Sequence, residues 1–129
     1  MILTACARVL FGVAQAETLE MSVGFGPGMI AKGEFPLTRE VRHGEIEVIR
    51  PDGRHFSVRV DVKPVGKAQR SLDVTVAQVL VSTADTGEQY RPITTGRAVP
   101  SPGQEATFAV VLPEDAGGGG IETTARVRR

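Results

Sequence analysis

Few side chains in this 129-residue chain are of the types that most often carry acid–base chemistry. The chain has two histidines, His43 and His55, and one cysteine, Cys6. Histidine is the first candidate for a general acid or base because its ordinary pKa lies nearest neutrality. His43 lies between Arg42 and Gly44 in a turn-like context, and His55 falls on the outward phase of a strand pattern. The sequence therefore predicts two surface histidines without a catalytic partner.

The sequence lacks the residue spacing that a metal site, a reactive thiol or a cofactor site needs. A metal site takes three or four convergent ligands, and neither histidine belongs to a His-x-His or His-Glu-x-x-His motif. Cys6 lies in an apolar run, where no base is placed to form a thiolate. Gly24 to Gly28 is rich in glycine, but Pro27 removes an amide donor and no strand-helix-strand unit follows. We expect no metal and no cofactor.

Two close carboxylate pairs, Glu45/Glu47 and Glu114/Asp115, are of the kind that catalyses acid–base reactions on sugars. The first falls on the exposed phase of a strand and the second in a loop beside glycines, so we interpret both as solubilising charge. Interspersed acids favour the same interpretation for the arginines, which are Arg39, Arg42, Arg50, Arg54, Arg59, Arg126, Arg128 and Arg129. We find no catalytic constellation, and the sequence predicts a protein that is not an enzyme.

The charge balance bears on the kind of partner. Fifteen Lys and Arg residues balance fifteen Asp and Glu residues, so the formal net charge is zero. A chain without a positive field does not gather phosphate backbones or anionic lipids, which argues against nucleic acid as the partner. A protein partner is the better expectation.

The opening segment, MILTACARVLFGVAQA, resembles an export signal. It is largely apolar and ends in Ala14-Gln15-Ala16, the small-x-small pattern that signal peptidase accepts. Cleavage there would leave Glu17 as the first residue of a periplasmic or secreted protein. The segment is too short for a stable membrane span, which needs about 20 apolar residues.

Two features of the opening segment depart from an ordinary signal peptide. No basic region precedes Ile2, and Arg8 interrupts the apolar run. One alternative is that residues 2–16 form a buried helix or strand of a cytoplasmic protein. Another is that Leu3-Thr4-Ala5-Cys6 is a lipobox whose Cys6 carries a lipid.

Downstream of residue 16, alternating apolar and polar residues predict β-strands. The clearest signal flanks Pro51-Asp52-Gly53, which is typical of a tight turn, and it predicts a β-hairpin. Valine is abundant, whereas the chain has five Phe, one Tyr and no Trp, which also favours strands. The inward phase of the strands includes Leu19, Phe25, Ile46, Val48, Phe56, Val58, Phe108 and Val110.

The run from Ser71 to Thr83 fits two patterns. A helical stripe through Leu72, Val76, Val79 and Leu80 would place a helix near residues 68–82 and give an α+β fold. The density of Val and Thr favours a strand, with a β-bulge at Ala77-Gln78 where the alternation changes phase.

About seven strands, with turns roughly every 8 to 12 residues, are the pattern of an all-β sandwich, immunoglobulin-like or similar. We expect residues 17–129 to form one antiparallel β-sandwich domain. Such a sandwich can bind a protein by strand addition at an edge, and the candidate edges are the Pro92-containing segment and the Leu19–Phe25 strand. The expected role is therefore a non-enzymatic binding, adhesion or assembly module. The alternative is ligand binding or inhibition through the loops at Gly26–Gly33 and Asp115–Gly120.

Overall fold

The computed structural model describes residues 17–80 and 89–129, which form eight strands. Along the chain these are β1 (Glu17–Gly26), β2 (Met29–Leu37), β3 (His43–Ile49), β4 (His55–Val65), β5 (Gln69–Leu80), β6 (Gln89–Ala98), β7 (Ala106–Val111) and β8 (Gly120–Arg128). A short 3-10 turn, Glu114–Ala116, lies between β7 and β8. Cys6 and the proposed export signal at 1–16 lie outside the described residues.

The strands form two antiparallel sheets that pack face to face. Sheet A has the order β2-β1-β8-β7, and sheet B has the order β3-β4-β5-β6. Every hydrogen-bonded pair joins strands that follow each other in the chain, except β1 with β8. The predicted all-β sandwich is confirmed. Within the described residues, no helix is long and apolar enough to cross a membrane.

The strand predicted to begin at Ser71 is confirmed as far as residue 80, where the described segment ends. The alternative helix near 68–82 is wrong. β5 pairs with β4 without interruption from Val65↔Gln69 to His55↔Val79. The irregularity instead lies opposite, where Val76 pairs with Thr94 and Ala77 with Pro92. The extra residue is therefore Ile93 in β6, and the predicted bulge within β5 is misplaced. The phase change arises because Val79 lies on the outer face of β5, in register with His55, where it is nevertheless buried at 7% exposure.

β2 is a strand that the sequence pattern missed. Its inner face carries Ala31, Gly33 and Phe35, while the larger Ile30 faces outward and is 62% exposed. The small inner residues weaken the alternation in hydrophobicity, and Pro36 weakens it further. The described residues therefore contain one strand more than the seven that were predicted.

The core lies between the inner faces of the two sheets and is built largely from valine. Phe56 and Val58 of β4 are fully buried, as are Leu19 and Val23 of β1. Phe108 of β7 is only half-buried and packs at the margin of this core. The two sheets thus bury a continuous apolar layer, which is what a sandwich needs to be stable.

Two places where the chain passes from one sheet to the other are closed by a phenylalanine beside a glycine. At the β2–β3 seam, a Cβ atom on Gly44 would lie 2.4 Å from Cδ2 of Phe35. At the β6–β7 seam, a Cβ atom on Gly96 would lie 3.4 Å from Cδ1 of Phe108. In each case the phenylalanine belongs to sheet A and the glycine to sheet B. The aromatic ring covers the glycine, and it does so more closely at the first seam.

Candidate functional site

Three of the four edge strands carry features that hinder pairing with a further strand. β2 has Lys32 and Pro36, and β3 presents Glu45 and Glu47 to solvent. β6 contains Pro92 and its bulge at the next residue. Charged side chains, proline and bulges are the usual means by which proteins protect exposed sheet edges.

The fourth edge strand, β7, carries none of these features. Its sequence is ATFAVV, without a charge, a proline or a glycine. The outer side chains Thr107, Ala109 and Val111 are all exposed, and Val111 is 86% exposed. We call this open side of the strand, from Ala106 to Val111, the β7 edge. It presents a regular row of backbone groups beside a narrow apolar surface.

The strand that carries the β7 edge is held in place by β8 on its other side and by a hydrogen bond just after its last residue. β7 pairs with β8 in unbroken register from Ala106↔Ala125 to Val111↔Gly120. The amide of Leu112 donates to the carbonyl of Gly119 at 2.9 Å, which fixes the strand's end. Because β7 is already ordered in an extended conformation, binding a further strand would cost little conformational entropy in β7.

Apart from Glu122, which lies in register with Ala109, the surface beside the β7 edge is built from small side chains. In register with β7, the outer face of β8 carries Gly120, Glu122 and Thr124. Beyond it lie Gly24 and Ser22 of β1, and the hydroxyls of Ser22 and Thr124 are hydrogen-bonded to each other. Because glycine, serine and threonine project little from this half of sheet A, the β7 edge is accessible from the outer side of the sheet.

The edge predictions were partly right. The Pro92-containing segment is the edge strand β6, as predicted. The Leu19–Phe25 strand is not an edge, because β1 pairs with β2 on one side and β8 on the other. The sequence showed the β7 strand itself through Ala106, Phe108 and Val110. It could not show that this strand lies at an edge, because the order of strands depends on contacts between distant segments.

The residues capable of acid–base chemistry lie mostly on the outer face of sheet B. His55 contacts Glu47, with 3.0 Å between Nε2 and Oε1, so the predicted outward orientation is correct. Ser57 is nearby but donates its hydroxyl to Glu45, and it is 4% exposed. A serine nucleophile would instead have to donate to the histidine. This arrangement links strands β3 and β4 without forming a nucleophile and its base.

The other candidate residues are separated from this group. His43 begins β3 opposite Asp61, and Glu114 and Asp115 lie in the 3-10 turn. Asp115 forms an ion pair with Arg91 of β6 at 2.8 Å. Across residues 17–80 and 89–129, no group of three or more His, Cys, Asp or Glu side chains is placed to hold a metal ion.

The two glycine-containing segments have different structures. Gly26–Gly33 is mostly paired, since only the turn at Pro27-Gly28 separates β1 from β2. The glycines after the 3-10 turn contact the β3–β4 turn, where Arg50 donates to the carbonyl of Gly118 at 2.7 Å. Positive φ angles at Gly117, Gly118 and Gly119 let the backbone fold back in this way.

Most of the arginines that the sequence analysis named take part in ion pairs. The pairs include Arg54–Asp52, Arg59–Asp61, Arg126–Glu20, Arg128–Glu20 and Arg42–Glu17. These contacts agree with the interpretation of the arginines as parts of charged strand faces.

Glu17 is the centre of a cluster that the sequence analysis did not detect. Its side chain is 7% exposed and lies 2.9 Å from Arg70, 3.2 Å from Arg42 and 3.5 Å from Arg129. Burial raises the pKa of the Glu17 carboxyl, but the hydrogen bonds and charges of Arg70 and Arg42 outweigh it, so the pKa lies below its ordinary value. The partners are distant in the chain, which is why spacing gave no signal.

No protein family model matches this chain, and comparisons with curated proteins and with solved structures find no significant similarity.

Proposed function

We propose that this protein is a small exported β-sandwich that binds a partner protein by accepting an extended segment of it beside β7. It has no catalytic activity of its own in this proposal. The observation that carries the proposal is the β7 edge, six uncharged residues in regular extended conformation with one side unpaired within the described residues.

The physical basis of the proposal is strand addition. An added strand gains main-chain hydrogen bonds along the edge, and its alternate side chains find the surface of the sheet. Exposed Val111 and Ala109 would then lose apolar surface to the partner, which favours binding. The other three edges carry charges, proline or a bulge, so the partner is directed to β7.

Export is the second part of the proposal and rests on the small-x-small pattern Ala14-Gln15-Ala16, which directly precedes Glu17 in the sequence. Cleavage after Ala16 would therefore remove no residue of the described strands. The test is to recover the protein from periplasm and cytoplasm and to sequence its N-terminus. Glu17 first in the periplasm supports export, whereas intact Met1 in the cytoplasm overturns it and favours an intracellular domain.

The strand-addition proposal is tested by amide exchange with a peptide probe. The probe copies Glu105–Leu112, an extended apolar segment taken from this chain. We expect it to slow exchange at the β7 amides, because each new main-chain hydrogen bond protects its donor. The matched variants are Ala109→Lys on the β7 edge and Thr95→Lys on β6, two exposed outer positions. Ala109→Lys should abolish the protection and Thr95→Lys should retain it.

The mass of the protein in solution completes this test. A dimer with protected β7 amides supports strand addition and identifies a second copy as a partner. No protection of β7 by the probe in a monomer, or protection that survives Ala109→Lys, overturns the proposal. Protection confined to Gly117–Gly120 overturns it in favour of ligand binding through the glycine loops.

A further inference from the structure

A groove opens at the end of the sandwich where β1 begins and β8 ends. Its volume is about 310 Å³, at the small end of the range for ligand pockets, which is roughly 300 to 1,000 Å³. Leu72 of β5 and Val127 of β8 line it from the two sheets, and Pro100 and Pro102 line it from the loop before β7. The groove is therefore bounded by apolar groups of three different segments, each fixed by its own strand or by proline.

The charged residues around the groove favour an anion. Glu17, the only carboxylate side chain among the described lining residues, lies within 3.5 Å of both Arg70 and Arg129, which also line the groove. Arg42 binds the same carboxylate at 3.2 Å. Three guanidinium groups therefore share one buried carboxylate side chain, so hydrogen-bond donors outnumber the side-chain acceptors that they contact. A carboxylate entering beside them could accept hydrogen bonds from these donors.

Two arginines at the end of β8 have the donors for such a carboxylate. Arg128 uses its Nε to bind Glu20 at 2.7 Å, and Arg129 uses its Nε to reach Glu17 at 3.5 Å. Nη2 of Arg128 also lies 3.8 Å from Oε1 of Glu34, and the side chains of Arg128 and Arg129, which line the groove, are 48% and 60% exposed. A guanidinium group presents donors in a planar fork that matches a carboxylate.

We propose that this groove binds a small amphipathic monocarboxylate. The carboxylate contacts Arg128 and Arg129, and an apolar body of about ten carbon atoms lies against Leu72, Val127 and Pro100, a size that suits the small end of ligand pockets. This site lies at the opposite end of the molecule from the glycine loops. It is also separate from the outer side chains of the β7 edge, so its test does not depend on strand addition.

The experiment is an NMR titration of the protein with decanoate. The amide resonances of Leu72, Gly103, Gln104 and Val127 report on the groove. The matched ligand is decyltrimethylammonium, which carries a ten-carbon chain and the opposite charge. We expect decanoate to shift these resonances in a saturable way and the cation to leave them unchanged.

Variants separate a built site from general detergent binding. The double variant Arg128→Gln/Arg129→Gln should weaken decanoate binding at least tenfold. Arg59→Gln, which removes one positive charge on the outer face of sheet B, should leave the affinity within twofold. Equal binding of the cation, an unchanged affinity in the double variant, or an equal loss in Arg59→Gln would each overturn the proposal. Shifts at the β7 amides in place of the groove amides would overturn it as well.

Discussion

The two seams between the sheets use the same pair of residue types with different tightness. At the β2–β3 seam the ring of Phe35 lies so close to Gly44 that a methyl group there would overlap it, at 2.4 Å. At the β6–β7 seam the corresponding distance from Gly96 to Phe108 is 3.4 Å, which is ordinary contact. The difference teaches that the sandwich is tightly closed on one side and more loosely closed on the side that carries the β7 edge.

The looser seam also joins two contrasting edge strands. β6 is irregular, with Pro92 and the extra residue Ile93, whereas β7 is regular and uncharged. Proximity to a seam therefore does not by itself make an edge available for pairing. The regularity of the backbone and the absence of charge distinguish β7 from its neighbour.

The largest expected loss of stability is at Phe56 in the core, and it is the reference for the losses expected at the seams. Phe56 is fully buried at the centre of sheet B, so Phe56→Ala should lower the free energy of unfolding by about 3–5 kcal/mol. Phe108, which the sequence pattern also placed in the core, is only half-buried at the looser seam. Phe108→Ala should therefore cost roughly half as much. Chemical denaturation of both variants measures the difference, and equal losses would show that the β6–β7 seam is as tight as the core.

A matched pair of glycine substitutions compares the seams directly. Gly44→Ala should destabilise the protein by about 2–3 kcal/mol, because Phe35 must move to admit the new methyl group. Gly96→Ala should change stability by less than about 1 kcal/mol, because Phe108 leaves room and alanine restricts the unfolded chain. Denaturation curves of the two variants check this. The comparison fails if Gly96→Ala is the more damaging substitution.

The Glu17 cluster is an electrostatic link beside the tighter seam, since Glu17 in β1 binds Arg42 before β3 and Arg70 in β5. Glu17→Gln should cost about 1–2 kcal/mol at neutral pH, because it leaves the half-buried guanidinium groups of Arg70 and Arg42 poorly paired. The folded pKa of Glu17 is depressed, so its stabilising contribution is present above the unfolded pKa and is lost as the pH falls through the folded pKa.

The pH dependence provides the control for this variant. The stability difference between wild type and Glu17→Gln should shrink as the solution is acidified below the ordinary glutamate range. Unfolding curves across that range measure it. A difference that stays constant with pH would mean that the Glu17 charge does not contribute and that the loss arises from packing alone.

The smallest expected effect concerns the ion pair across the looser seam. Arg91 and Asp115 are 2.8 Å apart, but their side chains are 38% and 68% exposed. Solvent and salt screen such a pair, so Asp115→Asn should change the free energy of unfolding by less than about 0.5 kcal/mol. A loss well above this value in a denaturation experiment would show that this ion pair stabilises the β6–β7 seam more than an exposed pair ordinarily does.

Much of the fold could be predicted from local patterns in the sequence. The turn at Pro51-Asp52-Gly53 has Gly53 at a φ of 86° and a hydrogen bond from the Gly53 amide to the Arg50 carbonyl at 2.8 Å. This confirms the predicted hairpin, because proline and glycine specify such a turn locally. The phase of β4 was likewise predictable, since Phe56 and Val58 alternate with polar residues.

What could not be predicted depends on contacts between distant segments. β2 escaped detection because Gly33 leaves the space that the ring of Phe35 occupies, a contact that the local pattern does not contain. The bulge was placed on the wrong strand because a phase change in β5 has the same signature as an outward-facing Val79. The order of the strands, and so the identity of the open edge, follows only from how the eight strands pair.

The pairing of β1 with β8 has a consequence for how the polypeptide is made. The first strand finds one of its two neighbours only when residues 120–128 are present, so until translation is nearly complete β1 can pair only with β2 and β7 has no neighbour in sheet A. Truncation before Gly120 should therefore speed exchange at those β1 amides that are hydrogen-bonded to β8.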